Sequence, residues 1–133
     1  MIELLRLQEL TVSLDPVRAE DRVLSVAFNI VAEMTLPFQS GRLELKECWF
    51  EHSALNDFEA QIKALRHEES GRAVLCDMSN KPILRCERKD AEVRFEVIAM
   101  DTMGMGRVTL EVQGYASEID DLYQALRDYP KWW

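Results

Sequence analysis

Positive charge, histidine and cysteine are all in short supply in this 133-residue chain, and no long apolar run occurs anywhere along it. Lys and Arg number 16 against 24 Asp and Glu, a formal net charge of -8. That balance argues against general affinity for nucleic acid or anionic lipid, since both need a cationic surface, and it is compatible with a basic protein partner. No stretch approaches the roughly 18 apolar residues of a membrane-spanning helix. Met1-Ile2-Glu3-Leu4-Leu5-Arg6 carries an acid where a signal peptide carries positive charge, so a cytoplasmic location is expected. The three cysteines, Cys48, Cys76 and Cys86, then read as reduced thiols.

The same scarcities bear on chemistry. The cysteines lack the Cys-x-x-Cys spacing usual for zinc, and Cys76 and Cys86 read instead as small apolar residues sharing one face of a hairpin. Gly104-Met105-Gly106 lacks the further glycines and the Lys-Ser/Thr of a phosphate loop and is followed by a strand, so it reads as a turn. His52 and His67 are the only histidines. Cys48 and His52 are close in sequence, as in a thiol–imidazole pair, yet no third group is evident to orient them. No catalytic residue, metal or cofactor is expected.

What the chain does contain is a balanced composition, 47% apolar and 30% charged, fitting one soluble globular domain over residues 1–133. It also contains a repeated order of elements. Ser53-Ala54-Leu55-Asn56-Asp57-Phe58 opens a helical pattern, and Ser117-Glu118-Ile119-Asp120-Asp121-Leu122 opens another 64 positions later. The apolar stripe Leu55, Phe58, Ile62 and Leu65 falls in register with Ile119, Leu122, Leu126 and Tyr129. Strand-like segments beginning Gly41-Arg42 and Gly106-Arg107 precede the two helices.

Alternation of period two marks the strands. Leu5 and Leu7 lie on one parity and Leu10, Val12 and Leu14 on the other, a slip that a bulge near Gln8-Glu9 would absorb. Asp15-Pro16 reads as a strand break. Leu24 through Met34 is the longest alternation, followed by Leu43, Leu45 and Trp49 opposite Arg42, Glu44, Lys46 and Cys48. In the second half the strands are Ala73–Cys76, Ile83–Cys86, Val93–Ala99 and Val108–Val112. Ser53 and Ser117 are the expected helix caps, with Asp57 in one first turn and Glu118, Asp120 and Asp121 in the other. Met100, Met103 and Met105 read as core filling. The expected class is α+β: a mostly antiparallel sheet of six to seven strands with two amphipathic helices on one face, and an internal strands-helix, strands-helix pseudo-repeat.

Two features bear on binding. The acids at the start of the second helix have an ordinary reason in the helix dipole, and a second reading as an acidic face complementary to a basic protein. The tail Tyr129-Pro130-Lys131-Trp132-Trp133 reads first as folding back over a sheet edge or the open end of the core, and second as a partner or homodimer interface, because tryptophan is enriched at binding hot spots.

The segments Leu55–Leu65, Gly71-Arg72-Ala73-Val74-Leu75, Gly106-Arg107-Val108-Thr109-Leu110 and the Ile119–Leu126 helix resemble small bacterial immunity proteins of the WapI-like kind. The resemblance lies in the order of elements and carries no catalytic signature. It implies a cytoplasmic, non-enzymatic protein that neutralises the toxic domain of a polymorphic toxin, often a basic nuclease, by covering its active surface. The expected partner-binding residues are Glu118, Asp121, Trp132 and Trp133. Two alternatives stand beside this reading: a small-ligand-binding or enzymatic domain with a pocket between sheet and helices, and a self-associating structural protein.

Overall fold

The computed structural model describes residues 2–101 and 103–131. Its elements are β1 (Ile2–Arg6), β2 (Leu10–Glu20), β3 (Ser25–Thr35), β4 (Ser40–Glu51), α1 (His52–Leu65), β5 (Ser70–Cys76), β6 (Pro82–Lys89), β7 (Glu92–Met100), β8 (Arg107–Tyr115) and α2 (Ser117–Asp128). The α+β class and the antiparallel pairing agree with expectation. The strand count does not. The described residues form eight strands, divided into two four-stranded meanders of order β1-β2-β3-β4 and β5-β6-β7-β8, where one sheet of six to seven was expected.

The extra strand comes from the slip in alternation between Leu7 and Leu10. Gln8-Glu9 is the tip of a hairpin, closed by the Leu7 N–H donating to the Leu10 carbonyl at 2.8 Å. The bulge lies earlier, between Glu3 and Leu5, and lets both Leu4 and Leu5 turn into the core. Asp15-Pro16 does not end β2: Pro16 stands opposite Phe28 beside a register shift, a bulge position where proline is tolerated in a sheet. Leu24, expected in the core row of the long strand, lies in the turn before β3 and is exposed.

A second bulge reverses an expected pair of faces. Glu47 takes φ 49° and donates its N–H to Asn29 Oδ1 at 2.9 Å, shifting the register between Phe28 and Ile30. Cys48 therefore stands opposite Phe28 and packs on the core, while Trp49 stands opposite Ala27 on the other face. In the β5–β6 hairpin, Cys86 faces Ala73 in the core row. Cys76 lies beyond a register shift opposite Pro82, half-buried, so the two thiols do not share a face.

Both helices begin one residue or more ahead of the expected serine caps. Neither has a side-chain cap; the N-cap residues are Glu51 and Ala116. The backbone supplies the anchor. The His52 N–H donates to the Leu24 carbonyl in the β2–β3 turn at 2.8 Å, and the Ala116 N–H donates to the Ala91 carbonyl in the β6–β7 turn at 3.1 Å. One amide at each helix start is thus satisfied by the neighbouring hairpin, and Ser53 and Ser117 lie inside the first turn. Asp57 is outside the first turn of α1.

The two apolar stripes are buried as the spacing predicts, with Tyr123 added to the second. Among the strands, each helix packs chiefly on the first of the other half, α1 on β5 and α2 on β1. Gln61 Oε1 accepts the Val74 N–H at 2.9 Å, tying α1 to the edge of β5, and Arg88 Nη1 donates to the Leu65 carbonyl at the end of α1. The helices also clasp each other. Arg66, after α1, reaches Asp120 at 2.8 Å and lies 4.6 Å from the Tyr123 ring centroid. Lys131, after α2, reaches Glu59 at 3.7 Å. One contiguous buried cluster joins both sheets and both helices, with Phe28 and Phe50 at 6.1 Å and Phe58 beneath α1.

Candidate interaction surface

The Cys48–His52 pair is the first place to look for chemistry. Burial pushes the Cys48 thiol up to about 12, and the nearby Asp77 carboxylate pushes in the same direction. A nucleophilic cysteine needs the opposite environment, a cationic one that stabilises thiolate. Burial alone pushes the Cys86 thiol up to about 12. Among the described residues, no group of three or more His, Cys, Asp or Glu side chains has metal-holding geometry. A cavity between sheets and helices, lined by Leu4, Leu10, Phe58, Cys86, Phe95 and Leu122, amounts to about 20 Å³, close to the room of a single water and far below the size of a ligand pocket.

The surface is more informative. Most ion pairs sit on sheet faces: Arg42 with Glu33 at 2.8 Å, Arg18 with Glu47 at 2.8 Å and, on the outer side of β6–β8, a cluster around the buried Glu96. Glu96 is held by Arg94 at 3.1 Å and Arg85 at 3.5 Å, and Arg94 also pairs with Glu87 and Glu111. On the side formed by α2 and β1, Asp120 is paired with Arg66 and Glu3 with Arg6, while among the described residues Glu118 and Asp121 have no cation within ion-pair distance.

Two open grooves flank α2. At its N-terminal end the β1–β2 turn (Leu7, Gln8, Glu9) faces Glu92, Gln113, Tyr115 and Glu118. At its C-terminal end Glu3, Asp15 and Asp128 gather beside Ile2, Tyr129 and Pro130. Glu3 is paired with Arg6, which holds its carboxyl below the usual range. Among the described residues, no cation lies within ion-pair distance of Glu9, Glu92 or Glu118.

Glu118 is therefore in a groove, but it also has a structural task. Its Oε1 accepts the Tyr115 N–H at 2.8 Å, reaching back across the helix start. Gly114 permits that approach: a Cβ there would stand 2.7 Å from Glu118 Oε1 and 2.9 Å from the Phe95 ring. Asp121 is exposed on α2 and lines neither groove. Trp132 and Trp133 lie outside the described residues. Met103 and Met105, expected in the core, are exposed at the β7–β8 turn. That turn is built by Gly104 at φ 71° and by Asp101, whose Oδ1 accepts the Met105 N–H at 2.9 Å, so its tip projects from the core. Sequence reading missed Glu9, in the β1–β2 turn, and Glu92, the first residue of β7, as groove residues; Glu92 reaches Glu118 through its pairing with Tyr115, and Glu9 through the packing of α2 on β1.

Comparison with known protein families, with curated proteins and with solved structures finds no match. No helix among the described residues is long and apolar enough to cross a membrane.

Proposed function

We propose that this chain is a non-enzymatic, cytoplasmic binding protein of the immunity-protein kind, which neutralises a basic toxin domain by covering its active surface. The observation that carries the reading is the convergence of Glu9, Glu92 and Glu118 in one groove whose lining holds no Lys or Arg. Such a groove attracts a basic surface over several ångströms and orients it during encounter. Asp121 extends the negative field along α2. Glu118 stays preorganised by its bond to the Tyr115 amide. Trp132 and Trp133 follow Lys131, which rests against Glu59; on this reading they supply the apolar area that holds the complex after charge has steered it.

The test reads the genes on either side for a basic toxin domain, whose absence would count against the proposal, and measures the association rate of that domain with this chain against salt. In the Glu9→Lys/Glu92→Lys/Asp121→Lys variant the rate should fall by about tenfold or more at low salt, and the salt dependence should flatten. Glu118 is left in place so that the helix start is undisturbed. An association rate and salt slope equal to those of the unaltered chain would contradict the proposal.

A further inference from the structure

Four edge strands end the two sheets, and three of them are protected. β1 is bulged near Leu4 and covered by α2; β5 has a register shift at Leu75 and Cys76 and is bonded by Gln61 of α1. β4 is bulged at Glu47 and capped at its end by the Met78 N–H, which donates to the Trp49 carbonyl at 2.9 Å. Bulges and covers of this kind are how proteins keep sheet edges from pairing with another chain. β8 has neither. It pairs with β7 over nine residues without a shift, no backbone bond closes its outer edge between Val108 and Gly114, and apolar side chains stand exposed along it. Val108 is 52% exposed and Tyr115 74%, and the adjoining turn adds Met103 at 79% and Met105 at 86%.

We infer that β8 is a dimerisation edge, on which a second copy of this chain adds its own β8 in antiparallel register across a two-fold axis at Thr109. The sequence Arg107-Val108-Thr109-Leu110-Glu111 is self-complementary about that residue. Arg107 of each copy stands opposite Glu111 of the other, and Val108 stands opposite Leu110. Thr109 stands opposite itself, a pairing that suits a sheet. Shifting the centre to Glu111 would set like charges against each other, which selects the Thr109 register. The pairing also carries the exposed Met103 and Met105 turn of each copy toward the far end of the other strand, where Tyr115 is exposed. Glu111 already lies 3.7 Å from Arg94, so Arg107 of the second copy completes a row of alternating charge on the outer face. The isologous contact joins the β5–β8 sheets of the two copies into one continuous sheet and uses up the open edge.

Sedimentation equilibrium of the full chain, from about 1 µM to about 1 mM, should show a monomer–dimer equilibrium. Arg107→Glu alone and Glu111→Arg alone should each weaken the dimer roughly tenfold or more, because each creates two like-charge pairs. The double variant Arg107→Glu/Glu111→Arg should restore it. A chain that stays monomeric throughout, or a dimer indifferent to the single reversals and lost only when Trp132 and Trp133 are removed, would overturn the inference.

Discussion

Replacing Phe58 with alanine should lower the free energy of unfolding by about 3–5 kcal/mol, as for other fully buried aromatics cut to a methyl group. Phe58 is 1% exposed on the inner stripe of α1. It borders the small cavity that also touches Leu4, Leu5, Leu10 and Val12 of one sheet and Leu84, Cys86, Phe95 and Val97 of the other. Collapse onto the missing ring would have to draw in residues from both sheets and α2, which are held in separate ladders. The void should therefore persist and add its own cost to the lost transfer energy. With typical domain stabilities of about 5–15 kcal/mol, the variant should sit near the edge of folding. Urea denaturation followed by circular dichroism measures the loss, and Phe58→Leu should recover most of it. A loss below about 1 kcal/mol would mean that α1 does not seal the core where it is placed.

The second large effect is alkaline. Cys86 is fully buried in the core row opposite Ala73, and burial pushes its thiol from 9.0 up to about 12. Below pH 9 the folded and unfolded chains both hold the proton, so the preference for the neutral thiol is fully present. Between pH 9 and 12 the unfolded chain releases the proton while the folded chain retains it, and stability falls by about 1.4 kcal/mol for each pH unit. Above 12 the loss levels off. Tyr129, pushed up to about 12 by burial and then by Glu59, acts in the same direction from a higher starting point. Between about pH 8 and pH 11 the unaltered chain should thus lose about 2–3 kcal/mol more than Cys86→Ala, whose own cost is a constant offset from the smaller side chain. Denaturant midpoints at the two pH values give the comparison. Parallel losses in the two proteins would show that Cys86 is hydrated and ionises freely.

The helices were the most legible part of the sequence, since their stripes of Leu55, Phe58, Ile62 and Leu65 and of Ile119, Leu122, Leu126 and Tyr129 follow from period alone and are buried. Their starts were less so. Ser53 and Ser117 have the right chemistry for caps, but each helix is anchored one residue earlier, where the His52 and Ala116 amides donate to the Leu24 and Ala91 carbonyls, long-range partners that no local pattern encodes. Strand parity failed at bulges. One extra residue at Glu47 exchanges the faces of Cys48 and Trp49, one near Leu4 buries two successive leucines, and the parity slip at Gln8-Glu9 is a hairpin turn where a bulge was expected. The groove was half legible: Glu118 stood out as a first-turn acid, whereas Glu9 is an ordinary turn residue and Glu92 an ordinary strand-end residue until the fold brings them together.

The division into two sheets was illegible for a related reason. Each half reads as strands followed by a helix, and nothing local says that, among the strands, the helix packs chiefly on the other half's first. That exchange, α1 on β5 and α2 on β1, with Arg66 and Lys131 reaching across to Asp120 and Glu59, is what makes two four-stranded meanders depend on each other.

Native-state hydrogen exchange tests that dependence most directly. Amides of Phe28 and Ile30 in β3 report on one sheet, and those of Phe95 and Val97 in β7 on the other. With rising denaturant, both sets should converge on one opening free energy, equal to that of global unfolding. Separate plateaus differing by more than about 2 kcal/mol, with one sheet open while the other stays protected, would contradict the interlocked account.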